Sequence, residues 1–517
     1  MNIRILTSLR PLWRLWLGGL LAAALAGPVA AQDTDATDPP GRVGRLADVQ
    51  GEVWVNRDDD ADGDDPPGPG GDGTEWTEAT RNRPVTTGDR LSTAASGRAE
   101  VRVGSSAVLL DRDTDLEVLR LDDTRFVLQL HAGAVAVRLP ADDAARGFEL
   151  LTAEGRFVPD RAGRYRFDRD GGVTDATTLD GQLQLRAADA GVTVKAGQRY
   201  RFRQQDGTRF EPAALPRDAF ANWVASRDRA SGRTDSARYV SAEMTGIEDL
   251  DRYGRWDQDP EHGAMWVPGD VAVGWAPYRW GHWAWISPWG WTWIDDAPWG
   301  FAPFHYGRWV SRGGVWGWVP GAYVARPVYA PAVVGWMGGP GVSIGISVGR
   351  RPPPTVGWFP LGPREVYVPG YRYSPHYMRR VNGAHVSAGF DWNPYLRDPY
   401  RAAAGGHYRY RDHPGGTTWV PRDVIERRRP VGPAIVGIGG RPVPGPGHDR
   451  PGWNDRPGGN DRPPTMQGRP PATALPPAGG GADGRYGAPR FGRDEPRPPR
   501  GEWGTRPFDG GDRGERW

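Results

Sequence analysis

The sequence predicts a mainly β protein, with a β module first, a tryptophan-rich module of repeated hairpins second, one short helix between them and a disordered C-terminal tail. Three observations lead there. From Val43 to Phe202 the chain is a series of short alternating segments broken by Gly, Asp and Asn; thirteen of its 25 tryptophans lie between Trp256 and Trp318 at regular spacing; and Gly (74) with Pro (51) makes up almost a quarter of the 517 residues, against roughly an eighth in average proteins. A chain this long suits two or three domains.

The N-terminus reads as a secretory signal over residues 1–31. Arg4, Arg10 and Arg14 precede an uncharged run from Leu15 to Gly27, and Pro28-Val29-Ala30-Ala31 leads into Gln32, which places small residues for cleavage near Ala31. The run is short of the roughly 20 residues that span a bilayer. A second uncharged stretch, Pro327 to Gly349, is interrupted by three prolines and many glycines, so no transmembrane span is expected in the mature chain. The protein is therefore expected in the periplasm or outside the cell.

Charge and composition exclude several classes. The 65 basic and 63 acidic residues leave a net charge of +2, too little to steer a polyanion, so nucleic acid is not an expected partner. Lys195 is the only lysine. With no cysteine, disulfides, thiolate metal sites, cysteine nucleophiles and a lipidated cysteine all drop out.

Residues 42–208 form the first expected domain. Glu52-Val53-Trp54-Val55, Ala99-Glu100-Val101-Arg102-Val103, Phe126-Val127-Leu128-Gln129-Leu130 and Ala134-Val135-Ala136-Val137-Arg138-Leu139 alternate with period two, which predicts separate short strands of a solenoid, sandwich or barrel. The set Gly88-Asp89-Arg90-Leu91-Ser92-Thr93, Gly97-Arg98-Ala99-Glu100-Val101, Leu128-Gln129-Leu130-His131-Ala132-Gly133-Ala134-Val135-Ala136-Val137, Gly163-Arg164-Tyr165-Arg166-Phe167 and Val194-Lys195-Ala196-Gly197-Gln198-Arg199 resembles the core of FecR-type periplasmic domains. The resemblance implies a β-solenoid-like sensor module. The familiar members of that family relay a signal to a cytoplasmic sigma factor, but this sequence lacks their cytoplasmic segment and membrane helix, so here the resemblance implies an interaction surface and no relay.

Inside this module, Asp58, Asp60, Asp62 and Gly63 match the opening of a calcium loop, but Pro69 stands where the closing bidentate acid is needed. A solvated hairpin loop is the expectation and weak calcium binding the alternative. The connector, 212–247, carries Phe220, Trp223 and Val224 at i, i+3 and i+4, one amphipathic helical segment that docks on a neighbour.

The third domain, 248–325, repeats itself. Gly254-Arg255-Trp256 runs to Trp266-Val267-Pro268, Gly281-His282-Trp283 to Trp293-Ile294-Asp295, and Gly307-Arg308-Trp309 to Trp318-Val319-Pro320, starts that lie 27 and 26 residues apart. Each unit reads as a β-hairpin. In the middle one Trp283 and Trp285 share a strand face, Trp291 and Trp293 share a face of the next strand, and Ser287-Pro288-Trp289-Gly290 has the residue preferences of a type I turn. A lone hairpin is marginal, so the three should pack together. This region, continued by Val356-Gly357-Trp358-Phe359-Pro360-Leu361-Gly362-Pro363-Arg364-Glu365-Val366-Tyr367-Val368-Pro369, resembles a bacterial tryptophan-rich domain of unknown function that often follows FecR-like domains. No activity comes with that resemblance.

Two readings of the tryptophans stand side by side. Buried, they are core; exposed in rows, they stack on sugars or partner side chains. The candidate contact residues are Trp275, Tyr278, Trp285, Trp291, Trp293 and Trp299. Strand alternation would let one face do each job.

Apparent catalytic motifs fail on context. Gly341-Val342-Ser343-Ile344-Gly345 has the form of a nucleophile elbow, with Asp391 and His407 downstream, but it overlaps its own repeat, Gly345-Ile346-Ser347-Val348-Gly349, and Arg350-Arg351-Pro352-Pro353-Pro354 forbids the helix an elbow needs. His262, His282 and His305 recur about once per repeat at no ligand spacing and read as polar repeat positions. Asp295 and Asp296 are adjacent, so on a strand they diverge, and they read as surface turn acids.

Residues 326–430 read as a Pro/Gly-rich β extension. From Val431 to Trp517, 38 of 87 residues are Gly or Pro, too few apolar groups to offset chain entropy, which predicts a disordered tail. The expected function is an exported envelope interaction or scaffold protein with no catalytic activity and no cofactor or metal, whose partner is an envelope protein. The alternative is a glycan- or peptidoglycan-binding protein that uses the six aromatics above.

Overall fold

The computed structural model describes residues 38–57, 76–187, 191–230, 235–337, 355–413 and 415–436. The signal segment, the acidic insert Asp58 to Asp65, Ser343 and the tail after 436 lie outside the described residues. The chain is mainly β, as its alternation predicts.

The N-terminal module is two sheets around one core. The first runs Pro84–Val85, Gly44–Gln50, Arg98–Val103, Ser106–Leu110, Phe126–Leu139, Gly163–Asp170, Val173–Asp180, Gln198–Gln204 and Thr208–Pro212. The second runs Thr77–Glu78, Val53–Arg57, Asp89–Thr93, Asp115–Leu121, Phe126–Leu139, Phe148–Thr152, Gly155–Pro159, Gln182–Arg186 and Gly191–Lys195. Phe126–Leu139 belongs to both. The two segments that alternation separates here are one 14-residue strand: Phe126 to Ala132 pair in the second sheet, Gly133 to Leu139 in the first. Gly133 makes the transfer, with φ of 85° and the backbone of Asp113 and Thr114 where a β-carbon would stand. Phe126, Leu128 and Leu130 in one phase and Val135, Val137 and Leu139 in the other all enter the same core: alternate residues of a strand face one way, and the phase changes at the irregular pairing between Leu130 and Ala132.

The connector helix is Ala219–Ala230. Asp218 accepts from Ala221 N at 2.8 Å, an N-cap, and is gripped by Arg166 through both terminal nitrogens at 2.8 and 2.7 Å. Phe220 and Val224 pack against Ala107, Leu109 and Ala136 of the first sheet, so the helix docks on the β module.

In the C-terminal half, the first and third repeats join into one four-stranded sheet ordered Gly254–Asp259, Gly263–Pro268, Val315–Val319, Arg308–Arg312. The middle hairpin, Gly281–Ile286 with Gly290–Asp295, is its own two-stranded sheet. A third sheet, Val334–Met337, Thr355–Pro360 and Thr418–Pro421, comes from the extension. The extension also folds helices at Pro375–Asn382, Asn393–Arg397 and Pro399–Gly405. Their prolines sit in the first turn, where no backbone N–H is needed; the sequence reading expected strands here and no helix. A single hydrophobic core runs through the three sheets, from Ile247 through Val431, so Val431, the expected first residue of the tail, is buried.

The two halves share a polar seam. Arg45 of the β module is fully buried and its guanidinium reaches Glu248 at 3.0 Å, Asp249 at 2.6 Å, Pro298 O at 2.7 Å and Asn82 Oδ1 at 3.0 Å. Asn82 in turn donates to Asp295 O and Ala297 O, both at 2.7 Å. Burial alone would lower the Arg45 pKa, but Asp249 and Glu248 reverse that and hold it above its ordinary value.

Candidate functional site

Each repeat uses the same local device. Its two main tryptophans face each other across the hairpin as Trp256 with Trp266, Trp283 with Trp293, and Trp309 with Trp318. The glycine two residues before the first tryptophan lies under the indole of the second: a β-carbon on Gly254, Gly281 or Gly307 would run into Trp266, Trp293 or Trp318 respectively. The repeated Gly-x-Trp therefore sets the seat of a ring. Trp266 Nε1 donates to Leu250 O at 2.9 Å and Trp318 Nε1 to Tyr306 O at 2.8 Å, satisfying the polar edge of rings that are otherwise in the core.

The six candidate contact aromatics come together as three pairs. Trp275 meets Trp299 at 5.7 Å between centroids, Tyr278 meets Trp293 at 5.8 Å, and Trp285 meets Trp291 at 5.5 Å, each edge to face. Tyr278, Trp291, Trp293 and Trp299 are buried, which removes them from any stacking row; Trp275 and Trp285 are half-buried. Tyr278 Oη donates to Phe304 O at 2.8 Å and accepts from Val333 N at 3.1 Å, a core tyrosine with its hydroxyl fully engaged. The middle hairpin does not divide into a core face and a binding face. Trp336 and Trp358 cover the tryptophan side, and Thr292 and Ile294 on the other side are buried too. Its turn also differs from type I: the Ser287–Pro288 peptide is cis.

Two polar expectations are corrected by burial. Asp295 is no surface acid. It is 4% exposed, accepts from Trp293 Nε1 and Ala297 N, both at 3.0 Å, and burial holds its carboxyl well above the usual range. His305 is fully buried between Phe301 and Tyr329, at 4.5 and 4.8 Å, and donates from Nδ1 to Ala330 O at 2.9 Å. Burial draws its pKa down to about 3. His282 is half-buried, and burial lowers its pKa as well. Among the described residues no group of three or more His, Asp or Glu side chains gathers to hold a metal.

The group that sequence reasoning missed is Arg308. It holds the middle place of Gly-x-Trp, where the other repeats have Arg255 and His282. Arg255 is exposed and His282 half-buried, while Arg308 is fully buried. It donates to Glu365 O at 3.0 Å, Gly307 O at 2.8 Å and Asn382 Oδ1 at 2.9 Å. Burial lowers its pKa to about 10, so it is still a cation at neutral pH. The repeat position was visible in the sequence; which of its three occupants would be covered was not.

Residues 247–365 match the model of a family of unknown function, DUF6600. The matched span takes in all three hairpins, two strands of the third sheet and both ends of the Arg308–Glu365 contact. No curated protein matches the chain. Two crystal structures of a proposed anti-sigma factor from Parabacteroides distasonis ATCC 8503 are similar at 10% and 9% identity, each with a TM-score of 0.23 over 26% of this chain. The match covers 63% and 64% of those chains, less than two thirds of their length. Among the described residues no helix is long and apolar enough to cross a membrane.

Proposed function

We propose that this chain is an exported, non-catalytic interaction or scaffold protein of the bacterial envelope, built from a FecR-like periplasmic module and a tryptophan-rich module. The observation that carries the reading is the seam at Arg45 and Asn82. Buried ionic and amide groups are expensive unless fully partnered, and here they are partnered across two modules, which fixes one module relative to the other. A fixed composite surface suits a protein that positions a partner. Cross-linking of the secreted form, residues 32 to 517, in intact cells tests this: a discrete cross-linked envelope protein is expected, and its absence alongside turnover of any envelope polymer by the purified protein would overturn the reading.

A second reading, contact with cell-wall glycan, draws on the aromatics that remain at the surface. Tyr239 stacks on Trp256 at 4.4 Å and is 37% exposed, and Trp285 is half-buried. Retention on purified peptidoglycan that disappears when Tyr239, Trp256 and Trp285 become Ala, in a folded variant, would favour glycan over a protein partner.

A further inference from the structure

Arg45 and Arg308 are buried alike, yet only Arg45 has carboxylates. All three hydrogen bonds of Arg308 go to neutral oxygens, and among the described residues no carboxylate comes within ion-pair distance of it. Glu365, whose carbonyl it grips, turns its own carboxylate to Gly362 N and Arg409 N, at 2.6 Å each. A guanidinium has five N–H donors, so two remain beyond those three bonds. The Glu365 charge still acts on Arg308 through space, but a buried charge with no directly paired counter-charge is unfavourable.

Arg308 also lines a cleft, together with His305, Tyr306, Tyr367, His385 and Tyr323. The cleft holds about 40 Å³ of open space, room for roughly three waters and too little for a sugar ring. Its mouth is accessible, since Tyr323 is 67% and Val324 38% exposed. His305 lines the cleft as well, with its Nδ1 committed to Ala330 O. The His385 imidazole is held neutral by burial and by the nearby Arg308 charge, so it can accept or donate.

We infer that this cleft binds a small oxyanion, a carboxylate or phosphate group, on the guanidinium of Arg308, with the His385 imidazole available to its remaining oxygens or hydroxyls. The oxyanion supplies the missing half of an ion pair with Arg308, and the neutral lining strengthens it. The site is independent of which partner the surface serves.

Thermal unfolding of the full chain is followed while sodium acetate or sodium phosphate replaces sodium chloride at constant ionic strength. Because Arg308 also fixes Gly307, Glu365 and Asn382, Arg308→Met is measured beside Val324→Asp, which leaves those bonds intact and sets a negative charge at the mouth. A saturable rise of at least about 2 °C in Tm, lost in Val324→Asp and in Arg308→Met where that variant folds, is the expected result. A rise with acetate alone identifies a carboxylate ligand, and with phosphate alone a phosphate. No rise beyond that in chloride, or a rise of equal size in either folded variant, overturns the assignment.

Discussion

Gly307 lies directly beneath the indole of Trp318, so that a β-carbon there would overlap the ring at Nε1. The residue also has φ of 70°. Gly307→Ala therefore combines a steric overlap in a packed core with a left-handed backbone, at a cost of roughly 2 to 5 kcal/mol. Gly313→Ala is the control, because Gly313 has φ of 56° but nothing within 4 Å of its β-carbon position; only the backbone term of about 1 kcal/mol applies. Urea denaturation of both variants checks the difference. Equal losses would show that ring seating contributes nothing.

The same glycine marks how far the sequence could be read. Gly-x-Trp at 26- and 27-residue intervals announced three hairpins, and alternation put Trp283 with Trp285 on one strand face and Trp291 with Trp293 on the next; the register, Trp283 opposite Trp293 and Trp285 opposite Trp291, comes from the structure. Alternation says which residues share a face but not what covers the face. Part of the cover for the middle hairpin is Trp336 and Trp358, which meet Trp283 and Trp293 and come from the Pro/Gly-rich β extension, whose pattern does not say where it docks, so the burial of Trp293 was not readable. Nor was the burial of Arg308 in place of Arg255, since both occupy one repeat position. The strand Phe126–Leu139 looked like two because Gly133 reads as a break, whereas here it lets one strand pass between two sheets.

Replacing Arg45 with Met tests the seam. The substitution leaves Glu248 and Asp249 facing a buried apolar chain and strands the Asn82 carboxamide oxygen, and breaking such a pair costs about 3 to 5 kcal/mol. Arg326→Ala removes another cross-module pair, to Asp143 at 3.2 Å, but both side chains are more than half exposed; its cost should stay under about 1 kcal/mol. Guanidinium denaturation gives both numbers. If Arg45→Met matched Arg326→Ala, the seam would not be what joins the modules.

Asp218 fastens the connector helix from its first turn. The Arg166 guanidinium holds the Asp218 carboxyl down at about 2 and also lies over the Phe220 ring at 4.9 Å. Asp218→Ala removes the N-cap and one partner of Arg166, for a loss of about 1 kcal/mol, with no correction for the ion pair because Asp218 is largely exposed. Hydrogen exchange should show faster amides across Ala219–Ala230 and unchanged protection in Phe126–Leu139. Unchanged exchange in the helix would mean that Phe220 and Val224 hold it without the cap.

His305 and Asp295 pull stability in opposite directions with pH. The native imidazole stays neutral down to about pH 3, while in the unfolded chain it takes up a proton below its ordinary 6.5. Stability contributed by this group is therefore present above 6.5 and falls as the pH drops toward 3, at up to about 1.4 kcal/mol per pH unit. Asp295 behaves inversely. Burial keeps the native carboxyl protonated above its ordinary 3.8, where the unfolded chain has already ionised, so its contribution falls as the pH rises from 3.8. Between pH 4 and 6.5 the two slopes oppose, and each substitution should unmask the other group. Relative to the unmodified protein, His305→Phe should gain stability as the pH is lowered from 7 to 4, and Asp295→Asn should gain as it is raised over the same range. Urea titrations at pH 4, 5, 6 and 7 measure both differences, and a difference that does not change with pH would mean that the substituted group titrates alike in the folded and unfolded chain.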